Sequence, residues 1–252
     1  MSDYDRNVAA RGFGAARTAE IDAGLRAYMI RIYNYMAAGV ALTGVTAWLT
    51  FNAAVVTDAS GKITGLTSFG QAIFSGPLTI ILFLGTLGIV FFLSFRINKL
   101  QAGTAMMLFM LYAGLLGLML SSVFLSYTGA SITRTFFISA ASFGALSLYG
   151  YTTQRDLSPI GSFLIMGLFG LILASIVNIF LGSNMLAFAI SAIGVLIFAG
   201  LTAWDTQKIK EMYDANDDGT VSGRKAVMGA LTLYLDFINL FLFMLRFLGD
   251  RR

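Results

Sequence analysis

The chain contains no cysteine and no histidine, and only 12% of its residues are charged. Without cysteine there are no disulfides and no thiolate chemistry. Without histidine the commonest metal ligand and general base is missing. Most hydrolytic and zinc-dependent mechanisms fall away, and the chain reads as a non-enzyme with no cofactor. The scarcity of charge is matched by 57% hydrophobic residues, a balance outside that of soluble globular domains and typical of membrane proteins. The first 30 residues also lack a compact apolar core beside a small-residue cleavage site, so no cleavable signal peptide is expected and the segment should stay on the protein.

A membrane-crossing helix needs about 20 mostly apolar residues. Such runs fall at 34–56, 78–97, 104–126, 132–150, 160–181, 186–206 and 227–248. They predict an all-α integral membrane protein with seven transmembrane helices, with 1–30 as a cytoplasmic amino-terminal segment and 31–252 as one membrane domain. The net charge of +4 comes from basic residues that flank the apolar runs, which argues for positive-inside loops and against nucleic acid. A cytoplasmic amino terminus puts most arginines and lysines, from Arg6 to Lys225, inside and only Lys62 and Arg134 in outer loops. Seven crossings then send Arg246, Arg251 and Arg252 outside, against the rule. Either the tail is tolerated there or one run does not cross fully.

The last run, LTLYLDFINLFLFMLRFLG (231–249), carries Asp236 within it. Thr232, Asp236, Asn239 and Arg246 fall near one helical face, a polar stripe along an apolar helix. The preceding run ends GLTAWDTQKIK, with Asp205 near its cytoplasmic end and Thr202 about a turn earlier. An ionised Asp near a membrane helix centre costs about 2.5–3.5 kcal/mol, so such a residue faces the bundle interior, a partner or water. If Asp205 and Asp236 are close, repulsion and desolvation oppose double ionisation, and the pair would share one proton and respond to pH. The alternative is that each makes a separate interhelical hydrogen bond. Depth weighs against pairing, because Asp236 lies roughly 13 Å beyond Val227, where the last run begins. The two meet only if the last helix starts outside the hydrocarbon.

Other candidates are weaker. DANDDGTVSGRK (214–225) places Asp214, Asn216 and Asp218 as in the first half of a calcium loop, with Gly219 at the turn position. Lys225 stands where the bidentate Glu belongs, so at most weak binding is expected and a solvated turn is the simpler reading. Arg96, ending the second run, either anchors its helix at the interface or reaches back to a membrane carboxylate. Asn178 reads as a buried amide at the middle of the fifth span, either bonding between helices or lining a polar path.

Three stretches, FGALSLYGYTTQRDLSPIG (143–161), GLTAWDTQKIK (200–210) and GALTLYLDFINLFLFMLR (229–246), resemble the bacterial branch of the Bax inhibitor-1 family. The likeness runs from about Tyr28 to the carboxyl terminus. It implies a seven-helix bundle with the last helix central, in a bacterial inner membrane. It also implies a pH-sensitive calcium leak gated by aspartates on the sixth and seventh helices, the positions of Asp205 and Asp236, with calcium as the transported ion. Some members set an arginine of the second helix against the pair, for which Arg96 is the nearest match. A second-helix glutamate of some calcium-conducting members has no counterpart, since no acidic residue lies between Pro77 and Asn98.

The resemblance also carries a different class of function: a non-conducting interaction protein that modulates a membrane protease or a stress response, through residues 1–30. A third class, an intramembrane aspartyl protease, is disfavoured because neither aspartate has the Gly-x-Gly-Asp setting that chemistry uses. Beyond these, the expected partners are the lipid bilayer and another membrane protein.

Overall fold

In a bilayer every backbone N–H and C=O must be satisfied within the protein, so apolar runs of this length become helices. The computed structural model describes residues 3–59 and 62–251, with side chains from residue 22. The first two residues of the amino-terminal segment, the side chains of Arg6, Arg11 and Arg17, and Arg252 therefore lie outside the described residues. In chain order the elements are α1 (Asp3–Ala54), β1 (Val55–Thr57), β2 (Ile63–Leu66), α2 (Ser68–Phe74), α3 (Pro77–Arg96), α4 (Ala102–Leu120), α5 (Val123–Ser126), α6 (Gly129–Thr152), α7 (Ser158–Leu181), α8 (Asn184–Glu211) and α9 (Gly219–Leu248).

Each apolar run coincides with a long helix. Among the described residues six are long and apolar enough to cross a membrane: α1 from Asp22, α3, α4, α7, α8 and α9. The helix α6 has the length, 24 residues, but is not among the six. The reason lies on its inward face, where Ser131, Thr135, Ser139 and Ser147 are buried in one row with Phe143. Small hydroxylated residues let a neighbouring helix approach closely, and the Ser139 hydroxyl donates to the Met244 sulfur on α9 at 3.2 Å.

Two elements differ from expectation. The backbone from Asp3 to Ala54 is one helix, so no break separates the amino-terminal segment from the first span. The polar connection after that span is an antiparallel β1–β2 hairpin followed by α2, whose first turn is capped by the Thr67 hydroxyl accepting from Gly70 N at 3.0 Å. Short strands in a polar stretch leave little apolar alternation to read.

The helix α9 is the most deeply buried of the six and packs against α1, α4, α6 and α8. Tyr234 anchors it: the ring is fully buried edge-on to Phe109 and Tyr112, and its hydroxyl shares a 2.6 Å hydrogen bond with Thr43 on α1. The helices α8 and α9 run antiparallel, with Gly229 beside Ile209 at one end and Gly194 beside Phe243 toward the other. The helix α6 lies alongside over the same distance. At its start Arg134 pairs with Asp250 at 3.1 Å and Ser131 Oγ accepts from Asp250 N at 2.9 Å; near its end Gly150 abuts Ala203 of α8.

That last approach requires glycine. A Cβ at Gly150 would stand 2.1 Å from the Ala203 carbonyl oxygen, whereas nothing lies within 4 Å of one at Gly144 on the same helix. Gly150→Ala should therefore push α6 off α8 and cost about 1–3 kcal/mol, while Gly144→Ala stays near neutral. Thermal unfolding of the purified protein in detergent measures both, and equal midpoints would contradict this packing.

Candidate functional site

The site forms where α8 and α9 cross beside α7. Lys208 and Lys210 in the last turn of α8 face its negative dipole end. The start of α9 is fixed by Asp218, whose Oδ1 accepts from Thr220 N at 2.8 Å and Val221 N at 2.7 Å. The helix thus begins at Gly219, well before the apolar run at Val227, and this early start brings Asp236 level with Asp205 despite their different depths in sequence.

The two carboxyl groups lie within hydrogen-bonding reach of each other. A contact between two carboxyl oxygens becomes a bond only when a proton stands between them. Both residues are buried, Asp205 9% exposed and Asp236 5%. Among the described residues, Asp236 Oδ2 is enclosed and takes no hydrogen bond from any donor. They sit on the wall of a cavity of about 670 Å³ between α7, α8 and α9, apolar on the α7 side through residues such as Ile165, Leu168 and Ile172. Thr232 and Asn239 line the same cavity, so three members of the α9 polar stripe face it together. The Thr232 hydroxyl proton is used along the helix, donated to Met228 O at 3.1 Å, and Asn239 Nδ2 spends one of its two protons on Leu235 O at 2.8 Å, leaving Asn239 Oδ1 free to accept. Toward the cavity they can therefore present oxygen.

The other candidates lie elsewhere. Thr202 is buried with its hydroxyl donated to Phe198 O at 2.7 Å and does not line the cavity. Arg96 is exposed at the end of α3, which packs chiefly on α4, and among the described residues no hydrogen bond or ion pair joins it to the aspartates. Asn178 is not at mid-span but in the last turn of α7, where its Oδ1 accepts from Ser183 N at 3.1 Å and closes the turn into α8. Arg246 lies further along α9, over the Phe243 ring, in a separate cavity.

The calcium-loop reading is not carried by the geometry. Asp214 Oδ1 accepts from Asn216 N and Nδ2, both at 2.9 Å, a local turn whose N–H holds that carboxyl below the usual carboxylate range. Asp218 is occupied as the α9 cap, and Lys225 pairs with Asp217 at 2.6 Å. Among the described residues no group of three His, Cys, Asp or Glu side chains could hold a metal ion.

Sequence reading missed Lys208 as a member of the site. It lies one helical turn beyond Asp205, lines the cavity, acts electrostatically on Asp205, and holds its ammonium 5.1 Å from the Trp204 ring centre. The i, i+3 spacing was the available signal. Also missed was the clamp on the α6–α7 turn. Gln207 Oε1 accepts from Leu157 N at 2.9 Å, its Nε2 donates to Arg155 O at 2.8 Å, and Lys210 Nζ donates to Tyr151 O at 2.8 Å. Gly161 completes the contact, since a Cβ there would stand 2.2 Å from the Trp204 ring. The stretches 143–161, 200–210 and 229–246 thus meet in space, with Phe143 also edge-on to Phe237 at 5.6 Å.

These features define a multi-helix membrane protein with two carboxyls in contact inside its bundle. The family model for the inhibitor of apoptosis-promoting Bax1 matches residues 25–252, and the chain belongs to this Bax inhibitor family. It is 48% identical over 252 residues to uncharacterized protein RP147 of Rickettsia prowazekii, covering 100% of each chain. It is also 48% identical over 233 residues to inner membrane protein YbhL of Escherichia coli, covering 91% of this chain and 94% of that one. The uncharacterized membrane protein SpyM3_0260 of Streptococcus pyogenes is 36% identical over 228 residues, 90% and 94% of the two chains.

Replacing Gln207 by Ala leaves Leu157 N and Arg155 O without their side-chain partner, a loss of about 1–3 kcal/mol concentrated in the α6–α7 turn. Trypsin should then cleave after Arg155 faster than in the unchanged protein, and unchanged cleavage would show that the clamp does not hold the turn.

Proposed function

We propose that the protein is a pH-sensitive calcium leak or transport protein of a bacterial inner membrane, gated by Asp205 and Asp236. The contact between two buried carboxyls on the wall of a cavity carries this reading. Two charges in contact inside a bundle are opposed by desolvation and repulsion, so the protonation state selects which helix arrangement is stable. A shared proton ties α8 to α9. A change of charge removes that tie and lets the helices part beside Lys208. Calcium prefers carboxylate, carbonyl and other oxygen ligands, and the aspartates with Thr232 and Asn239 offer oxygens along one face of α9. The reading calls for no cofactor and no bond-making step. The absence of any acidic residue on α3 leaves the two aspartates as the acidic groups of the path.

The reading takes the bundle as seven crossings around a central α9, with the amino terminus in the cytoplasm. Support comes from α6, which runs along the antiparallel α8–α9 pair from the Arg134–Asp250 contact at one end to the Gly150–Ala203 contact with α8 at the other, and so covers the same thickness. The carboxyl-terminal tail then shares a face with the α5–α6 turn, where Tyr127 bridges Arg251. The name of the Escherichia coli relative supports the inner membrane as the location. In this cysteine-free chain, single cysteines at Ser126 and Thr153 should label from opposite sides of sealed vesicles. Labelling from the same side would remove α6 from the crossings.

Calcium flux into proteoliposomes across pH 5 to 8 tests the function. Flux should vary with pH in the unchanged protein, and Asp205→Asn and Asp236→Asn should each flatten that dependence while the protein stays folded. Folded protein without flux at any pH would end the leak reading and leave a non-conducting interaction protein acting on a membrane protease or stress response.

A further inference from the structure

A second cavity, of about 580 Å³, opens at the opposite end of α9 from its amino-terminal cap, between the last turns of α7, the first turns of α8 and the carboxyl-terminal tail. Its lining carries Arg246, Arg251, Asn178 and Asn184, and no acidic residue. Among the described residues neither arginine has an ion pair, and the tail carboxylate, Asp250, is engaged by Arg134 at 3.1 Å. Two guanidiniums lining one cavity with no ion pair among the described residues are a standing electrostatic demand for an anion.

The geometry around them is held in place. Arg246 lies over the Phe243 ring at 5.7 Å, and the backbone of Arg251 is bridged to Tyr127. Asn178 spends its Oδ1 on Ser183 N, which leaves its amide protons to donate. The hydroxyls of Ser175 and Ser191 donate to Leu171 O and Ala187 O, so the charged and amide groups supply the donors. The rim is apolar: Ile179 is 78% exposed and Phe188 60%, beside the exposed Phe180 and Met185 of the α7–α8 turn. A cationic hollow bordered by exposed apolar side chains matches an amphiphile with an anionic head.

We infer that this cavity binds a phosphate-bearing anion, supplied as the headgroup of an anionic phospholipid whose acyl chains lie along the exposed α7–α8 turn. The guanidiniums and the Asn178 amide hold the phosphate oxygens, and the rim holds the first methylenes. The site is separate from the aspartate pair and does not depend on conduction.

Native mass spectrometry of the full chain tests this, with phosphatidylglycerol or phosphatidylcholine added to the detergent-solubilised protein. Phosphatidylglycerol should be retained preferentially, and Arg246→Gln with Arg251→Gln should weaken its binding about tenfold or more. Arg251→Gln alone, at an exposed tail position, should weaken it measurably, while Arg31→Gln removes the same charge from an exposed position on α1 outside the cavity and should not. Inorganic phosphate that protects the unchanged protein against thermal unfolding without lipid, and not the double variant, would support the anion site with free phosphate as its source. Equal retention of the two lipids, or a double variant that binds as Arg31→Gln does, would overturn the inference.

Discussion

Two carboxyl groups in contact inside a helix bundle constrain everything packed around them. An aspartate at membrane depth has to find water, a partner or a proton, and here Asp236 finds Asp205, with one of its oxygens enclosed and without a donor among the described residues. Holding that contact requires α8 and α9 to keep a fixed register. The surrounding architecture supplies it. Asp218 sets where α9 starts, Gln207 and Lys210 fasten the α6–α7 turn onto α8, and Tyr234 pins α9 to α1. The apolar row of α7 faces the cavity, leaving α8 and α9 to provide its polar side.

Much of this was legible in residues. That a long helix covers each apolar run followed from run length alone, because membrane helices satisfy their own backbones, but α1 and α9 begin well before their runs, at Asp3 and Gly219. Counting crossings was harder. Packing against α9 gave α6 a buried row of hydroxyls, and those hydroxyls lowered its apolarity to where composition cannot separate a crossing helix from an interior one. The β1–β2 hairpin was missed because its strands are three and four residues long. Asn178 was read as mid-span because the apolar run continues past it; the turn at Gly182, with φ 61°, ends the helix only a few residues later.

At the site, helical spacing put Thr232, Asp236 and Asn239 on one face, and they line one cavity. What spacing could not give was distance between helices, and so could not decide whether Asp205 and Asp236 meet. That depended on α9 beginning at Gly219, which the cap at Asp218 determines. The stretch that looks like half a calcium loop is therefore better understood as the device that sets helix register. Lys208 went unnoticed for the opposite reason: as one basic residue among several at a helix end, it carried an orientation signal that hid its closeness to Asp205.

The two ends of α9 have different chemistry. Toward its start lie the acidic pair and the clamped turn, and toward its finish lie two arginines that form no ion pair among the described residues, and an apolar collar. The account turns on Asp205 and Asp236 acting as one unit, and the absence of native cysteine allows a direct test. Cysteines placed at Ile209 and Gly229, which touch between α8 and α9, leave both aspartates in place; they should form a disulfide in high yield, and that link should lock calcium flux at a single value regardless of pH until it is reduced. A pair that fails to link, or a linked protein whose flux still follows pH, would contradict the account.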